Sequence, residues 1–452
     1  MALIDFKVLP GIDKQDTESG AENRWVDCDN TRFRYGLPEK VGGWSSLVTD
    51  TIVGVARREF AFVDLDGNRY VAIGTDKFLL IYFEGQLYDI TPLKTTLTSA
   101  TLATTNTSAI CSITTGTNHN LSVGDIVLLD TVTLPVGTGY VDADFENKLF
   151  QVTSITSATV FTITQSTAAT ATVGTGGSLS VKPYEQVGPA EQSYGYGWGI
   201  DTWSSGKWGE AASASDVSLE PGLWSLSNFG QVLVATIANG KTFTWNAGDA
   251  ARLTTRASTA TSGFETTNNP TATRITLVSP TTRHLIHLGT ETTIGDPTTQ
   301  DDMFIRFSDQ EDINDYVPTA INSAGSQRLQ DGTRIIGALK AKESILVWTD
   351  NALYTMKFIG APFTFGFEQV GTNCGLIGKN AAIEIDGMAF WMSSNGFFMF
   401  DGTVKSLPCS VEDYVYNQAD TTKGQQVYAG INNLFTEVVW YYPSTSSEYN
   451  DQ

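Results

Sequence analysis

The chain has 452 residues, enough to bury several cores, and carries 28 Lys and Arg against 49 Asp and Glu, a formal charge of −21 at pH 7. That balance excludes a general nucleic-acid binder that grips phosphates through basic side chains. Four cysteines, Cys28, Cys111, Cys374 and Cys409, show no C-x-x-C spacing, which excludes a disulfide framework and reads as small buried hydrophobes in a reducing compartment.

Residues 1–50 read as an extended N-terminal arm, because LPGIDKQDTESGAENRWVDCDNTRFRYGLPEKVGGW mixes charges, Gly and Pro with single aromatics. Arg24, Arg32, Arg34 and Lys40 form a local basic excess, either solvated loop charge or a contact with an acidic partner surface. Arg24, Trp25, Arg32 and Arg34 are the candidate subunit interface. Asp5, Lys7 and Pro10 interrupt any apolar run after Met1, and no eighteen-residue apolar stretch exists, so neither a secretory leader nor a membrane span is expected.

From Val53 to Thr91 the order is run, turn, run, turn, run, with Asp66-Gly67-Asn68 and Gly85-Gln86 as turns; residues 51–94 are the first propeller part. Residues 95–182 turn rich in Thr, Ser and Ala with strong alternation, and read as a small β-barrel or sandwich inserted in a propeller loop. The low-charge stretch TAATATVGTGGS within it reads as a flexible hinge. Residues 183–222 form a Gly/Trp-rich loop in which Trp198, Trp203 and Trp208 recur every five residues. These are candidate docking aromatics for sugars or a protein, or indoles folded back on the molecule.

Residues 223–452 hold the remaining blades. Leu223–Asn246 repeats the three-run phrase around Asn239-Gly240, Arg283–Asp309 repeats it with a long loop, and Gln425–Pro443 starts it again. The clearest copies are RIIGALKAKESILVWTDNALYTMKF and AAIEIDGMAFWMSSNGFFMFDGTVKSL, offset by 45 residues between Asp350 and Asn395. Propeller blades repeat at roughly 40 to 50 residues. The expected fold is all-β: a β-propeller with an inserted small β-barrel or sandwich and an extended N-terminal arm, with very little helix. Its last blade lacks an outer strand unless the arm supplies one.

Catalytic chemistry finds little purchase. His119 sits beside a turn, while His284 and His287 lie three apart, a spacing that faces opposite sides of a strand and suits no shared metal. Asp301, Asp302, Asp309, Glu311, Asp312 and Asp315 cluster without D-x-D-x-D-G order and read as a solvated loop. Asp64-Leu65-Asp66-Gly67-Asn68 reads as a hairpin turn that needs no ion. No G-x-S-x-G elbow is present. No catalytic, metal or cofactor residue is assigned, no cofactor is expected, and the expectation is a protein that is not an enzyme.

The phrases GIDKQDTESGAENRWVDCDNTRFRYGLPEKVGGW, YGYGWGIDTWSSGKWG, WSLSNFGQVLVA, FIRFSDQEDINDYVPT and TFGFEQVGTNCGLIGKNAAIEIDGMAFWMSSNGFFMFDG resemble the tail nozzle, or tail tubular protein B-like, virion proteins of short-tailed bacteriophages. The resemblance touches most of the chain and is weakest in the inserted domain. It implies a homohexamer, assembled in the bacterial host cytoplasm into the virion tail, docked under a tail adaptor protein and neighbouring tail fibres or spikes. Viral DNA would pass through without specific binding. An acidic lumen repels the DNA backbone, which makes Asp309, Glu311, Asp312 and Asp315 candidates for the channel lining. Two other readings stay open on the residues: a host-surface glycan-binding or glycan-degrading propeller, and a fibre-anchoring module.

Overall fold

The computed structural model describes residues 8–192, 220–258 and 269–452, apart from residues 18, 22, 44 and 47. The arm carries a hairpin of β1 (Thr31–Arg34) and β2 (Leu37–Lys40). It turns at Tyr35 and Gly36, whose φ values of 51° and 80° match the positive-φ turn that short hairpins favour. A first four-stranded blade follows: β3 (Ala56–Val63), β4 (Arg69–Thr75), β5 (Leu79–Phe83) and β6 (Gln86–Asp89). In its first turn the Asp64 carboxylate accepts from the Asp66 and Asn68 backbone N–H groups, the Asn68 side chain and the Tyr70 hydroxyl, so the turn is satisfied by its own chain.

Next comes a closed six-stranded barrel. Its strands are β7 (Leu97–Thr104), β8 (Ile110–Thr114), β9 (Ile126–Thr133), β10 (Lys148–Ser157), β11 (Val160–Thr164) and β12 (Val173–Pro183), arranged β10-β11-β8-β7-β12-β9. An antiparallel bridge between Leu93 and Tyr184 brings the two ends of the insertion together. The stretch read as a hinge is part of the barrel wall, since its second half lies in β12, which pairs with both β7 and β9. Its glycines serve curvature: the ladders slip at several points, and a Cβ on Gly177 (φ 71°) would lie 2.2 Å from the Thr133 carbonyl oxygen. Low charge marked a strand bent around a small barrel.

Four further blades complete a five-bladed, propeller-like ring. They are β13 (Trp224–Phe229), β14 (Val232–Ile237) and β15 (Thr242–Asn246); β16 (Thr273–Val278), β17 (Leu285–Thr290), β18 (Phe304–Phe307) and β19 (Gly325–Arg328); β20 (Ile335–Lys340), β21 (Ile345–Thr349), β22 (Ala352–Gly360) and β23 (Thr364–Thr372); and β24 (Ala382–Ile385), β25 (Met388–Ser393), β26 (Gly396–Phe400) and β27 (Val404–Ser406). The copy expected from Arg283 begins one strand earlier, at Thr273. After a short helix, α1 (Glu412–Gln418), a two-stranded sheet of β28 (Tyr428–Asn432) and β29 (Glu437–Tyr441) fills the seam between the fifth blade and the first. The arm does not complete that sheet, because β1 and β2 pair only with each other among the described strands. It is latched by Lys14 N–H to the Ser410 carbonyl (2.9 Å) and by the Ser410 hydroxyl to the Ile12 carbonyl (2.6 Å).

The third blade is covered on both faces by its neighbours, which explains why β16 and β17 are buried at every position rather than at alternate ones. One core joins the first two blades through Tyr70, Leu79, Trp224, Leu233 and Trp245, and another joins the last two through Leu346, Trp348, Trp391 and Met392. Trp348 and Trp391, equivalent residues of the two clearest sequence copies, meet edge to face at 5.4 Å. Trp224 packs against Gly74, where a Cβ would come within 2.5 Å of its indole, and donates its N–H to the Thr75 carbonyl at 2.9 Å. Gly74→Ala is therefore expected to lower stability by about 1–3 kcal/mol through overpacking, read as a lower urea midpoint; an unchanged midpoint would contradict this packing.

Candidate functional site: the axial cavity and the acidic loop

The first strand of each blade faces the ring axis, so β3, β13, β16 and β20 bring their side chains together there. The space between them is a half-open cavity of about 170 Å³ lined by Arg58, Phe60, Ser225, Ser227, Thr276, Leu277, Lys340 and Lys379 among others. Lys379 Nζ donates to Ser225 Oγ at 2.6 Å, and Lys340 Nζ to Ser227 Oγ at 3.0 Å. Arg58 donates to Asn380 Oδ1 at 3.2 Å, and the Asn380 amide donates to the Arg57 carbonyl at 3.0 Å, tying the first blade to the fifth. Burial pushes the Lys379 ammonium down to about 7, reinforced by the Arg58 and Arg274 charges and opposed by Glu220. Burial and then Arg58 push Lys340 down to about 8. Burial also lowers Arg58 itself, against the pull of Tyr428. Sequence reading passed over this set, whose members lie up to 322 residues apart; the available signal was a cation on the axial strand in two of the repeats, Arg58 and Lys340, and one just ahead of it in a third, Lys379.

The loop containing Asp309, Glu311, Asp312 and Asp315 is held by neutral donors. Asp309 accepts from the Ser323 N–H (2.7 Å), the Ser323 hydroxyl and the Gln310 N–H, and these outweigh desolvation to keep its carboxyl below the usual range. Asp315 accepts from the Asn322 amide at 2.8 Å and the Val317 N–H at 3.1 Å, and Asp312 from the Asn314 N–H at 2.8 Å. Glu311 meets Arg283 only at 3.7 Å with both side chains exposed, a pair that adds little. The loop thus presents charge outward without a compensating cation at most positions.

Asp309, Ser323 and His284 have the composition of a hydrolase triad but a different wiring. Ser323 gives its proton to Asp309, so His284 Nε2, 3.0 Å away, donates to Ser323, and its Nδ1 accepts from Thr282 at 2.7 Å. A nucleophilic serine must aim its proton at the histidine. His284 and His287 are both fully buried; His287 bonds Thr273 and Tyr316 at 3.0 Å each. His119 accepts from the Leu121 N–H at 2.9 Å inside the barrel. No group of three or more His, Cys, Asp or Glu is placed to hold a metal among the described residues.

The arm residues serve the arm's own seating. Arg24 lies 3.5 Å from Asp13, and Trp25 is paired with Ile12. Arg32 stacks over Phe435 at 3.5 Å and lies 3.4 Å from Glu437, and Arg34 reaches the same ring at 5.4 Å. The structure therefore brings Arg32 and Arg34 together on the β28–β29 turn, away from the acidic loop residues. Trp198, Trp203 and Trp208 lie outside the described residues.

No protein-family model matches the chain, and no curated protein is similar to it. Among solved structures, it aligns with the phage phi92 endosialidase at 13% identity and a TM-score of 0.25, over 78% of this chain and 55% of that one. It also aligns with the extracellular domain of a hybrid two-component system of B. thetaiotaomicron at 12% identity and a TM-score of 0.25, over 79% of this chain and 34% of that one. The chain thus spans about half and a third of these proteins, and at this TM-score neither alignment bears on its chemistry.

Two predictions follow from the buried histidines and the arm. Burial, with Arg306 nearby, pushes His287 down to about 3. Between pH 6.5 and 3 the unfolded chain holds a proton that the folded chain lacks, so stability falls as pH falls through that window. The thermal midpoint should decline from pH 7 to 5, above the main carboxylate range, and His287→Gln should flatten that slope; an identical slope would overturn the assignment. Arg32→Ala should speed protease cleavage of the arm several-fold while leaving the global midpoint nearly unchanged, and equal cleavage rates would show that the Phe435 stack does not hold it.

Proposed function

We propose that this chain is a non-enzymatic structural subunit of a phage virion, a tail nozzle protein that forms the distal tail tube as a homohexamer. The observation that carries the reading is where the charge lies. Among the described carboxylates only Asp64, Asp76, Asp125 and Glu291 are buried, so nearly all of the acidity sits on the outer surface of a rigid β-scaffold. A surface of that kind repels a DNA backbone and lets the polymer slide past without sticking.

At the ring's own axis the described residues leave only a half-open cavity of about 170 Å³, too small for a duplex whose major groove alone is about 12 Å wide. The genome path therefore runs between copies of the chain, with the Asp309, Glu311, Asp312 and Asp315 loop as its candidate wall. The seated arm, with its Arg24 and Arg34 side chains, is the candidate surface toward the tail adaptor protein, and fibres or spikes would attach elsewhere on the assembly.

Electron microscopy of the purified protein and of isolated tails tests this. The expected result is six copies around a channel of duplex width with the acidic loop facing inward. A monomer that degrades a host polysaccharide, or a trimer projecting from the side of the particle, would replace the conduit with a glycan-directed or fibre-anchoring role. In the hexamer, reversing Asp309, Glu311 and Asp312 to Lys should convert a channel that does not retain DNA into one that does.

A further inference from the structure

The axial cavity gathers cations without carboxylates in a chain that is otherwise strongly acidic. Arg58 reaches it from β3, Lys340 from β20 and Lys379 from the turn before β24, and no Asp or Glu among the described residues lines it. The nearby carboxylate Glu220 already accepts from one Arg274 nitrogen, Nη2, at 2.7 and 2.8 Å on its two oxygens and from Arg334 at 2.7 Å. Bringing three like charges together in a partly buried site is costly, and an apolar lining of equal volume would avoid that cost.

The neutral groups beside them are arranged as further donors. Ser225 Oγ accepts from Lys379, and Ser227 Oγ accepts from Lys340 and from the Val278 N–H at 3.2 Å, so each hydroxyl keeps its own proton to give. The one side-chain amide oxygen here, Asn380 Oδ1, is taken by Arg58. A neighbouring cavity of about 270 Å³ shares Arg58 and Asn380, and Gln426, only 3% exposed, lines it with neither amide atom partnered. Gln426 thus leaves one amide donor and one amide acceptor unpartnered on the other side of Arg58.

Size narrows the ligand. At about 30 Å³ per water, the axial cavity has room for roughly six waters. It falls below the roughly 300–1,000 Å³ typical of sites for larger organic ligands.

We propose that the axial cavity is a binding site for a small multivalent oxyanion of the phosphate or sulfate class, held by Arg58, Lys340 and Lys379 with the Ser225 and Ser227 hydroxyls donating. The guanidinium fork matches two oxygens of such an ion, and the two ammoniums supply point charges. The bound ion cancels the repulsion among strands from separate blades and acts as a bolt through the middle of the ring.

The charged and titratable groups that act on the lysines are Arg58, Arg274, Glu220 and each other, with Tyr428 acting on Arg58. With their folded-state values depressed, the lysines' own contribution to stability rises as pH rises from about 7 towards 10.5 in the empty site. An oxyanion has the opposite preference, since it needs both ammoniums charged. Sulfate keeps a constant charge over this range, so its effect reports on the protein alone.

The test compares sodium sulfate and sodium phosphate with sodium chloride at matched ionic strength, by thermal shift and calorimetric titration of the full chain at pH 6.5 and 9. Sulfate and phosphate should stabilise saturably where chloride does not, and sulfate more at pH 6.5 than at pH 9. Lys340→Met and Lys379→Met should each weaken sulfate binding at least tenfold while remaining as stable as the wild type in chloride. Equal stabilisation by chloride, or unchanged sulfate affinity in the double variant, would overturn the site. The wild-type salt comparison needs no variant, so it decides the matter even where a substitution prevents folding.

Discussion

Face-to-face burial of one sheet on the next is the constraint on which the rest of this molecule depends. In the third blade the inner strands have no solvent face: β16 and β17 are buried along their whole length, and the cores on either side of them are separate apolar clusters. Large aromatic side chains then fix the spacing, as where Trp224 rests on Gly74 and Trp348 meets Trp391. Polar residues on the axial strands have one direction left to them. They point into the centre, where Arg58, Lys340 and Lys379 converge although nothing in their local sequence relates them.

The same constraint sorts charge. Interior polar groups are threonines, serines and neutral histidines that bond to one another, such as Thr236 with Thr242 and Thr276, or His287 with Thr273 and Tyr316. Few carboxylates are fully buried, and those of the Asp309–Asp315 loop are held by backbone N–H groups, a hydroxyl and an amide. In the proposed conduit role, the outer surface would avoid DNA while the interior supplies rigidity. It also separates appearance from wiring in the Asp309, Ser323 and His284 set, whose hydrogen bonds run in the direction that braces a loop rather than activates a serine.

Much of the fold was legible along the chain. Alternation located the strands, and Asn239-Gly240, Asp66-Gly67 and Ser394-Asn395-Gly396 placed hairpin turns because their backbones accept the conformations those turns require. The inserted barrel was visible as a change in composition. Errors fell where composition stood in for geometry: glycines in the residues before Pro183 marked the curvature of β12, and Thr273–Val278, a strand buried on both faces, lacked the alternation that would have marked it as the start of its blade.

By itself the sequence determined what is local and periodic: the class of strands, the turns between them, the repeat that makes blades, and the sign of the surface. Each of these depends on residues a few positions apart, whose backbone preferences and side-chain alternation do not need the rest of the chain. Only the tertiary structure decided which side chains share a space. Closing the ring brings Arg58 of the first blade against Asn380 of the fifth and seats Arg32 on Phe435, contacts spanning some 320 and 400 residues that no spacing rule connects. The cation cluster at the axis is therefore a property of ring closure, since burial and mutual repulsion act on those side chains only after the sheets have packed.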